Sequence, residues 1–141
     1  MVLAPLTAAC IATAAGAYQL PQTYLYAILA TEGGHVGQAV SNKNGTSDLG
    51  PFQINTSWGQ ALARFWNLPT TEVLDRVRDD GCANAIAASA ILKGVLNQAR
   101  GDLPMALGLY HSHSTKLAES YRRKVLSAAE KLTTYSGKQK K

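Results

Sequence analysis

The sequence predicts an α+β fold that is predominantly α-helical. Hydrophobic residues make up 46% of its 141 residues, which suits a chain long enough for one domain with its own core. Most apolar residues recur at helical spacing, whereas residues 34–50 are polar and rich in Gly, Asn and Ser. We therefore expect a helical body with one small hairpin or loop excursion.

The first 17 residues are apolar and rich in small side chains, a composition that helices and secretion signals share. No Lys or Arg lies between Met1 and the apolar stretch, and Pro5 interrupts that stretch. Both features are untypical of a signal peptide. We therefore interpret this segment as the first helix of the fold. If the protein is exported, we expect its signal peptide to be absent from this numbering.

The second helix begins at Pro21, a residue that suits a first turn, and ends at Gly33–Gly34. Its helical spacing brings Glu32 onto the apolar face, together with Leu25, Ile28 and Leu29. The excursion over 34–50 contains Asn44–Gly45, a strong signal for a tight turn. A short hairpin and a long irregular loop both fit it.

Further helices are expected near residues 57–66, 70–78, 80–99, 102–110 and 115–134. The Ala-rich helix over 80–99 is expected to be central and buried, with Cys82, Ile86 and Ile91 on or near its apolar side. The last helix is expected to bury one stripe: Leu117, Tyr121, Val125, Ala128 and Leu132. We assign residues 1–135 to one domain and residues 136–141 to a solvated basic tail.

Charge narrows the class of protein. The chain carries 14 Lys or Arg against 9 Asp or Glu, a net charge of +5, and only 16% of its residues are charged. Together with the overall composition, this charge balance excludes an acidic disordered chain, a collagen and a disulfide-dense miniprotein. No apolar run approaches the ~20 residues of a membrane-spanning helix. The basic residues are scattered, so we expect no nucleic-acid partner, and nothing marks an oligomer interface, so we expect a monomer.

The two cysteines leave two interpretations open. Cys10 and Cys82 lie 72 positions apart, and neither has a second Cys or a His at metal-ligand spacing, so a zinc site is not expected. Two buried free thiols and one disulfide fit the spacing about equally.

Glu32 is the first candidate for chemistry. It lies on the apolar face of its helix and at the helix C-terminus, and both positions raise the pKa of a carboxyl group. A carboxylic acid that stays protonated near neutral pH can donate a proton to an ether oxygen. The alternative is that Glu32 turns out to solvent over Gly33–Gly34.

A second polar cluster lies in the run TSDLGPFQIN, residues 46–55. Asp48 follows Glu32 by 16 positions. Enzymes that cleave glycosidic bonds commonly use two carboxyl groups on opposite walls of a cleft. Gln53 and Asn55 are embedded in an apolar segment. They either face the cleft or form turn hydrogen bonds and helix caps.

A resemblance to known enzymes rests on the runs AILATEGG and SNKNGTSDLGPFQIN and on Trp58. Together they resemble the catalytic core of the lysozyme-like superfamily. They are similar to the small lytic transglycosylases, with an SLT domain, that accompany type IV secretion, conjugation, pilus and type III secretion systems. Cys10 and the run DGCANAIAASAIL match the same framework, so the resemblance covers nearly the whole chain. It implies a lysozyme-like fold in which the excursion flanks the substrate cleft.

The resemblance implies a peptidoglycan lytic transglycosylase with Glu32 as its single acid and base. Glu32 would protonate the oxygen between N-acetylmuramic acid and N-acetylglucosamine. It would then take the proton of the muramic 6-hydroxyl, which closes to a 1,6-anhydro ring. The reaction would consume no water and would need no metal or nucleotide, so no cofactor is expected. Ser47, Gln53 and Asn55 match positions that orient the acid and the sugar.

Two tyrosines and two histidines are implied with the site. Tyr110 matches a family tyrosine whose hydroxyl contacts the acid. Tyr121 matches a further tyrosine beside the cleft, and core packing fits it equally. The sequence departs from the family pattern after Tyr110, where His111 and His113 stand in place of an Asn-Ala-Gly run. Either a histidine contacts the substrate or tunes Glu32, or both are solvated.

The resemblance also implies a Cys10–Cys82 disulfide, a periplasmic location and residues 1–135 as the catalytic domain. The implied partners are peptidoglycan glycan strands and components of a secretion, conjugation or pilus machine.

Two alternative functions remain. Asp48 also matches the second carboxylate of c-type lysozymes, which would make the enzyme a hydrolytic muramidase. A basic module that binds peptidoglycan without cleaving it is the other.

Overall fold

The structure is a computed structural model that describes residues 2–111 and 115–139. These residues form seven α-helices and three short β-strands, so the predicted α+β class with mostly helical content is confirmed. In chain order they are α1 (Ala8–Ala17), α2 (Gln22–Glu32), β1 (Ala39–Ser41), β2 (Ser47–Leu49), β3 (Ile54–Asn55), α3 (Gly59–Trp66), α4 (Thr70–Asp79), α5 (Gly81–Gln98), α6 (Leu103–His111) and α7 (Thr115–Gln139). A 3₁₀ turn over Thr56–Trp58 separates β3 from α3.

The chain forms two compact units, each built from two stretches. The first comprises the described parts of Met1–Ala14 and Glu32–Ala88. It buries apolar side chains of its sheet, of the turn between β2 and β3, and of α4: Leu49, Phe52, Ile54, Val73 and Val77. The second comprises the described parts of Ala15–Thr31 and Ser89–Lys141. It buries apolar side chains of its helices: Leu25, Ile28, Leu92, Leu107 and Val125.

The polar excursion is a hairpin extended by a third strand. β1 pairs antiparallel with β2, and β2 pairs antiparallel with β3, so the strand order is β1-β2-β3. A 2.8 Å hydrogen bond from the Asn42 N–H to the Thr46 carbonyl closes the turn between β1 and β2. Gly45 takes a φ of +85° there, which glycine adopts without steric cost. The Asn44–Gly45 signal therefore predicted the turn correctly.

Aspartates begin α5 and α6, as the sequence predicts. The Asp80 Oδ1 accepts hydrogen bonds from the N–H groups of Cys82 and Ala83, at 2.9 and 3.1 Å. The Asp102 Oδ1 accepts one from the Met105 N–H at 3.1 Å. These carboxylates satisfy N–H groups that the first turn of a helix leaves unpaired.

The first helix begins at Ala8, later than predicted. The Thr7 Oγ1 accepts the Cys10 N–H at 3.1 Å and so caps the helix. Ala4 donates its N–H to the Asp79 carbonyl and accepts the Gly81 N–H, both at 2.9 Å. This backbone bridge holds the preceding residues outside the helix.

The last helix differs from its prediction at both ends of the buried stripe. Tyr121 and Val125 are buried, but Leu117 and Leu132 are 55% and 37% exposed, so the buried stripe is shorter than predicted. The helix also continues to Gln139, so residues 136–139 of the predicted tail are helical. A lone glycine in the run does not stop a helix, since it costs only about 1 kcal/mol relative to alanine. Residues 140–141 lie outside the described residues.

Ile86 of α5 is 36% exposed and so lies outside the buried side of the helix. The buried positions of that stretch are its neighbours Ala85, Ala87 and Ala88.

Within the described parts of the chain, none of the helices is both long and apolar enough to cross a membrane.

Candidate active site

Glu32 is the last residue of α2 and is half-buried. Gly33 follows it with a φ of +62°, the left-handed conformation that ends helices. Leu25 and Ile28 of the same helix are fully buried. The predicted position of Glu32, on a helix with a buried face and at its C-terminal end, is thus confirmed.

Gly34 joins the end of α2 to the TSDLGPFQIN segment. Its N–H donates to the Pro51 carbonyl at 3.2 Å. A Cβ at this position would overlap the Gly50 carbonyl oxygen and would lie 2.7 Å from the Gln53 Nε2. Only glycine permits this approach. The two motifs that carry the resemblance therefore meet two residues after Glu32.

Asn55 holds Asp48 within the small sheet. The Asn55 Nδ2 donates to the Asp48 Oδ1 and to the Thr46 Oγ1, each at 2.9 Å. The Asn55 Oδ1 accepts the Ser57 N–H at 3.0 Å and caps the 3₁₀ turn. Turn and cap bonding, one of the two sequence interpretations of Asn55, is therefore what the structure contains.

Gln53 lies in the turn that follows Gly50 and takes a φ of +51°. Its Nε2 donates to the Gly50 carbonyl at 3.0 Å and lies 3.5 Å from the Gln38 Oε1. Ser47, the first residue of β2, donates its N–H to the Thr56 Oγ1 at 3.1 Å. The structure thus gathers Ser47, Asp48, Gln53 and Asn55 in the segment that Gly34 contacts.

Asn84 is the positioning residue that sequence reasoning missed. Its side chain is fully buried, and its Oδ1 accepts the Phe52 N–H at 2.8 Å. Its Nδ2 donates to the carbonyls of Leu49 and Val77, both at 2.9 Å. Asn84 therefore fixes the backbone on both sides of Gly50–Pro51. An amide within an Ala-rich buried helix is the signal that could have found it, since a buried polar group requires partners.

An ion pair reinforces the end of α4 in the same unit. Arg78 contacts the Asp79 carboxylate through Nε and Nη2, both at 2.8 Å, and this hydrogen bonding lowers the pKa of Asp79 despite its burial. The Arg78 carbonyl accepts the Gly37 N–H at 2.7 Å. The chain after Gly34 is thereby tied to α4.

The second unit holds the aromatic candidates. Tyr110 and Tyr121 are both buried, and their rings stack with centroids 6.2 Å apart. His111 is the last residue of α6, and its ring stacks on Tyr121 with centroids 4.5 Å apart. His111 is exposed, but it belongs to a helix and an aromatic cluster and not to the polar loop considered from the sequence. His113 lies outside the described residues.

Cys10 and Cys82 form a disulfide, with their Cα atoms 5.1 Å apart, so one of the two interpretations of the cysteines is confirmed. The bond ties α1 to the first turn of α5. Among the described residues, no group of three or more His, Cys, Asp or Glu side chains could hold a metal ion.

A comparison with known protein families found a matching family model. The family model described as "Transglycosylase SLT domain" matches residues 9–132, which span Glu32, the sheet, Asn84 and both tyrosines. A search of curated proteins found no match to the chain.

Proposed function

The chain belongs to the transglycosylase SLT domain family, whose members act on peptidoglycan, and on that premise we propose that it is a lytic transglycosylase of the glycan strand. Its reaction would cleave the β-1,4 bond between N-acetylmuramic acid and N-acetylglucosamine. The product would carry a 1,6-anhydro-N-acetylmuramic acid end.

Glu32 is the proposed acid and base. Its carboxylic acid gives a proton to the glycosidic oxygen as the bond from that oxygen to the muramic C1 breaks. The resulting carboxylate then takes the proton of the muramic 6-hydroxyl, whose oxygen bonds to C1. Glu32 ends the cycle protonated again, so one residue serves both steps and no water is consumed.

The approach of Gly34 to Gly50 carries the proposal. It joins the end of the Glu32 helix to the turn that holds Gln53, and Asn84 fixes that turn through hydrogen bonds to Phe52 and Leu49. A general acid requires such a rigid setting, because a displacement of about 1 Å can cost on the order of 100-fold in rate.

Hydrolysis with Asp48 as a second carboxylate is the alternative outcome. One oxygen of the Asp48 side chain accepts a hydrogen bond from Asn55 within the sheet. This bond favours a structural role for Asp48, since the carboxylate is already used to join β2 to β3.

We further propose that the enzyme works outside the cytoplasm, in the periplasm, where it opens the wall locally for a secretion, conjugation or pilus machine. The Cys10–Cys82 disulfide supports this location, because disulfides persist in oxidising compartments. Residues 1–135 are the proposed catalytic domain.

Digestion of purified peptidoglycan, followed by mass spectrometry of the fragments, tests the reaction. We expect anhydro ends from the wild type and a loss of at least 100-fold in rate for Glu32→Gln. Glu72→Gln is the matched control, because Glu72 lies on the exposed surface of α4 and pairs only with Arg76 among the described residues. Reducing ends in place of anhydro ends would identify a hydrolase. Binding without cleavage by the wild type would identify a scaffold.

A further inference from the structure

Positive charge is concentrated on α7. This helix carries six Lys or Arg residues against two Glu, whereas the whole chain has a net charge of +5. The last helix therefore accounts for most of the charge imbalance of the protein. From the sequence, the net charge of +5 favours the peptide carboxylates of peptidoglycan over DNA, without a location on the protein for that contact.

Three of these cations line one groove of the second unit. Arg123, Lys124 and Lys131 form its α7 side together with Ser127, and Ala30 and Thr31 form its α2 side. Lys124, Ser127 and Lys131 are spaced at one and two helical turns, so they share a face. We name this the α2–α7 groove.

The lysines of the groove are available to a ligand. Neither Lys124 nor Lys131 pairs with a carboxylate among the described residues, whereas Arg123 pairs with Glu119 at 3.1 Å. Both lysines are exposed. The groove thus presents two ammonium groups and the Ser127 hydroxyl, a donor set that suits carboxylates.

One residue of the groove is the sequence neighbour of the proposed acid. Thr31, on its α2 side, directly precedes Glu32. The intact glycan strand is uncharged at the sugars, because the lactyl group of each muramic acid is amide-linked to a peptide. The carboxylates of the substrate are carried by those stem peptides.

We propose that the α2–α7 groove binds the stem-peptide carboxylates of the glycan strand during cleavage. Lys124 and Lys131 supply the charge, and Ser127 supplies a neutral donor. The inference rests on the proposed function, and it adds a specificity: strands that bear anionic peptides are preferred over strands whose peptides are neutral.

A comparison of two substrates and two variants tests the groove. The substrates are soluble glycan strands with their stem peptides, untreated or with the peptide carboxylates chemically amidated. The variants are Lys124→Gln/Lys131→Gln and the matched control Lys93→Gln/Lys116→Gln, which removes the same charge outside the groove and outside the excursion beside the proposed cleft. Glutamine suits helices nearly as well as lysine, so the groove variant is expected to fold, which circular dichroism checks.

On untreated strands we expect the groove variant to raise KM about fivefold with kcat unchanged, since two exposed ion pairs are lost. On amidated strands we expect the variant and the wild type to have the same KM. The control variant should match the wild type on both. The KM ratio between groove variant and wild type should also shrink as salt is added.

The two proposals fail differently. If the wild type cleaves neither substrate, the proposed function is wrong, and nuclear magnetic resonance titration of the full chain with released stem peptide still tests the groove. If the wild type cleaves both and the groove variant has an unchanged KM on untreated strands, the groove assignment is wrong. Tighter binding of a short DNA duplex than of stem peptide in the same titration would also overturn it.

Discussion

The Asn84 side chain accepts the Phe52 N–H at 2.8 Å across 32 residues of sequence, and the same amide donates to two carbonyls. The Asn84 amide is fully buried, and its three hydrogen bonds satisfy three backbone groups that would otherwise require water. The turn between Leu49 and Phe52 therefore depends on a residue of α5.

We expect Asn84→Ala to lower the free energy of unfolding by about 3 kcal/mol, because it leaves buried peptide groups without partners and opens a cavity. Urea titration followed by circular dichroism measures the change. The catalytic rate of the folded fraction should also fall, since the turn that contacts Gly34 loses its support.

Ser89→Ala on the same helix is the matched control. Ser89 is fully buried, and its hydroxyl has no hydrogen-bond partner among the described residues. Its removal should not lower the free energy of unfolding and is expected to raise it by about 1 kcal/mol. Equal losses for Ala at positions 84 and 89 would contradict the role assigned to Asn84.

The close approach of Gly34 to the Gly50 carbonyl predicts that position 34 does not tolerate a side chain. Gly34→Ala places a methyl group against the Gly50 carbonyl, so backbone must move. We expect a loss of about 2 kcal/mol in unfolding free energy and of about tenfold in cleavage rate, measured by thermal melting and by muropeptide release. Gly94→Ala is the control: no neighbouring atom lies within 4 Å of its added methyl, and we expect a gain of about 0.5 kcal/mol.

The Arg78–Asp79 pair predicts how stability depends on pH. Because the pair lowers the pKa of Asp79, the folded protein binds fewer protons here than the unfolded chain. Its contribution is present above the unfolded pKa of ~3.9 and is lost as pH falls below it. In urea titrations across the acid range, Asp79→Asn should therefore show a shallower loss of stability than the wild type. Parallel curves for the two proteins would disprove this assignment.

The Cys10–Cys82 bond should contribute strongly to stability. It closes a loop between residues 72 positions apart, and a cross-link of that length stabilises by about 4 kcal/mol through the entropy of the unfolded chain. We expect the midpoint of urea unfolding to fall when the protein is reduced. Cys10→Ser/Cys82→Ser should have the lower midpoint with or without reductant, and a reductant effect in this variant would point to another cause.

The candidate site could be predicted in part. The position of Glu32 followed from apolar spacing and from Gly33–Gly34, which act within one helix. Asp48 and Asn55 were found as residue types in a motif, but their mutual hydrogen bond depends on the pairing of β2 with β3. For His111, the sequence indicated a polar loop, and the structure extends α6 to include it.

The sequence by itself determined the order of the elements, the turn at Asn44–Gly45 and the place of Glu32 at a helix end. These depend on backbone conformations and caps within a few residues, so local patterns encode them. Three contacts were decided by tertiary structure alone. They are the hydrogen bond of Asn84 to Phe52 in the turn, the close approach of Gly34 to Gly50, and the groove in which basic residues of α7 lie beside Thr31. Each of these joins segments far apart in the chain, and their meeting depends on how whole elements pack, which no local pattern specifies.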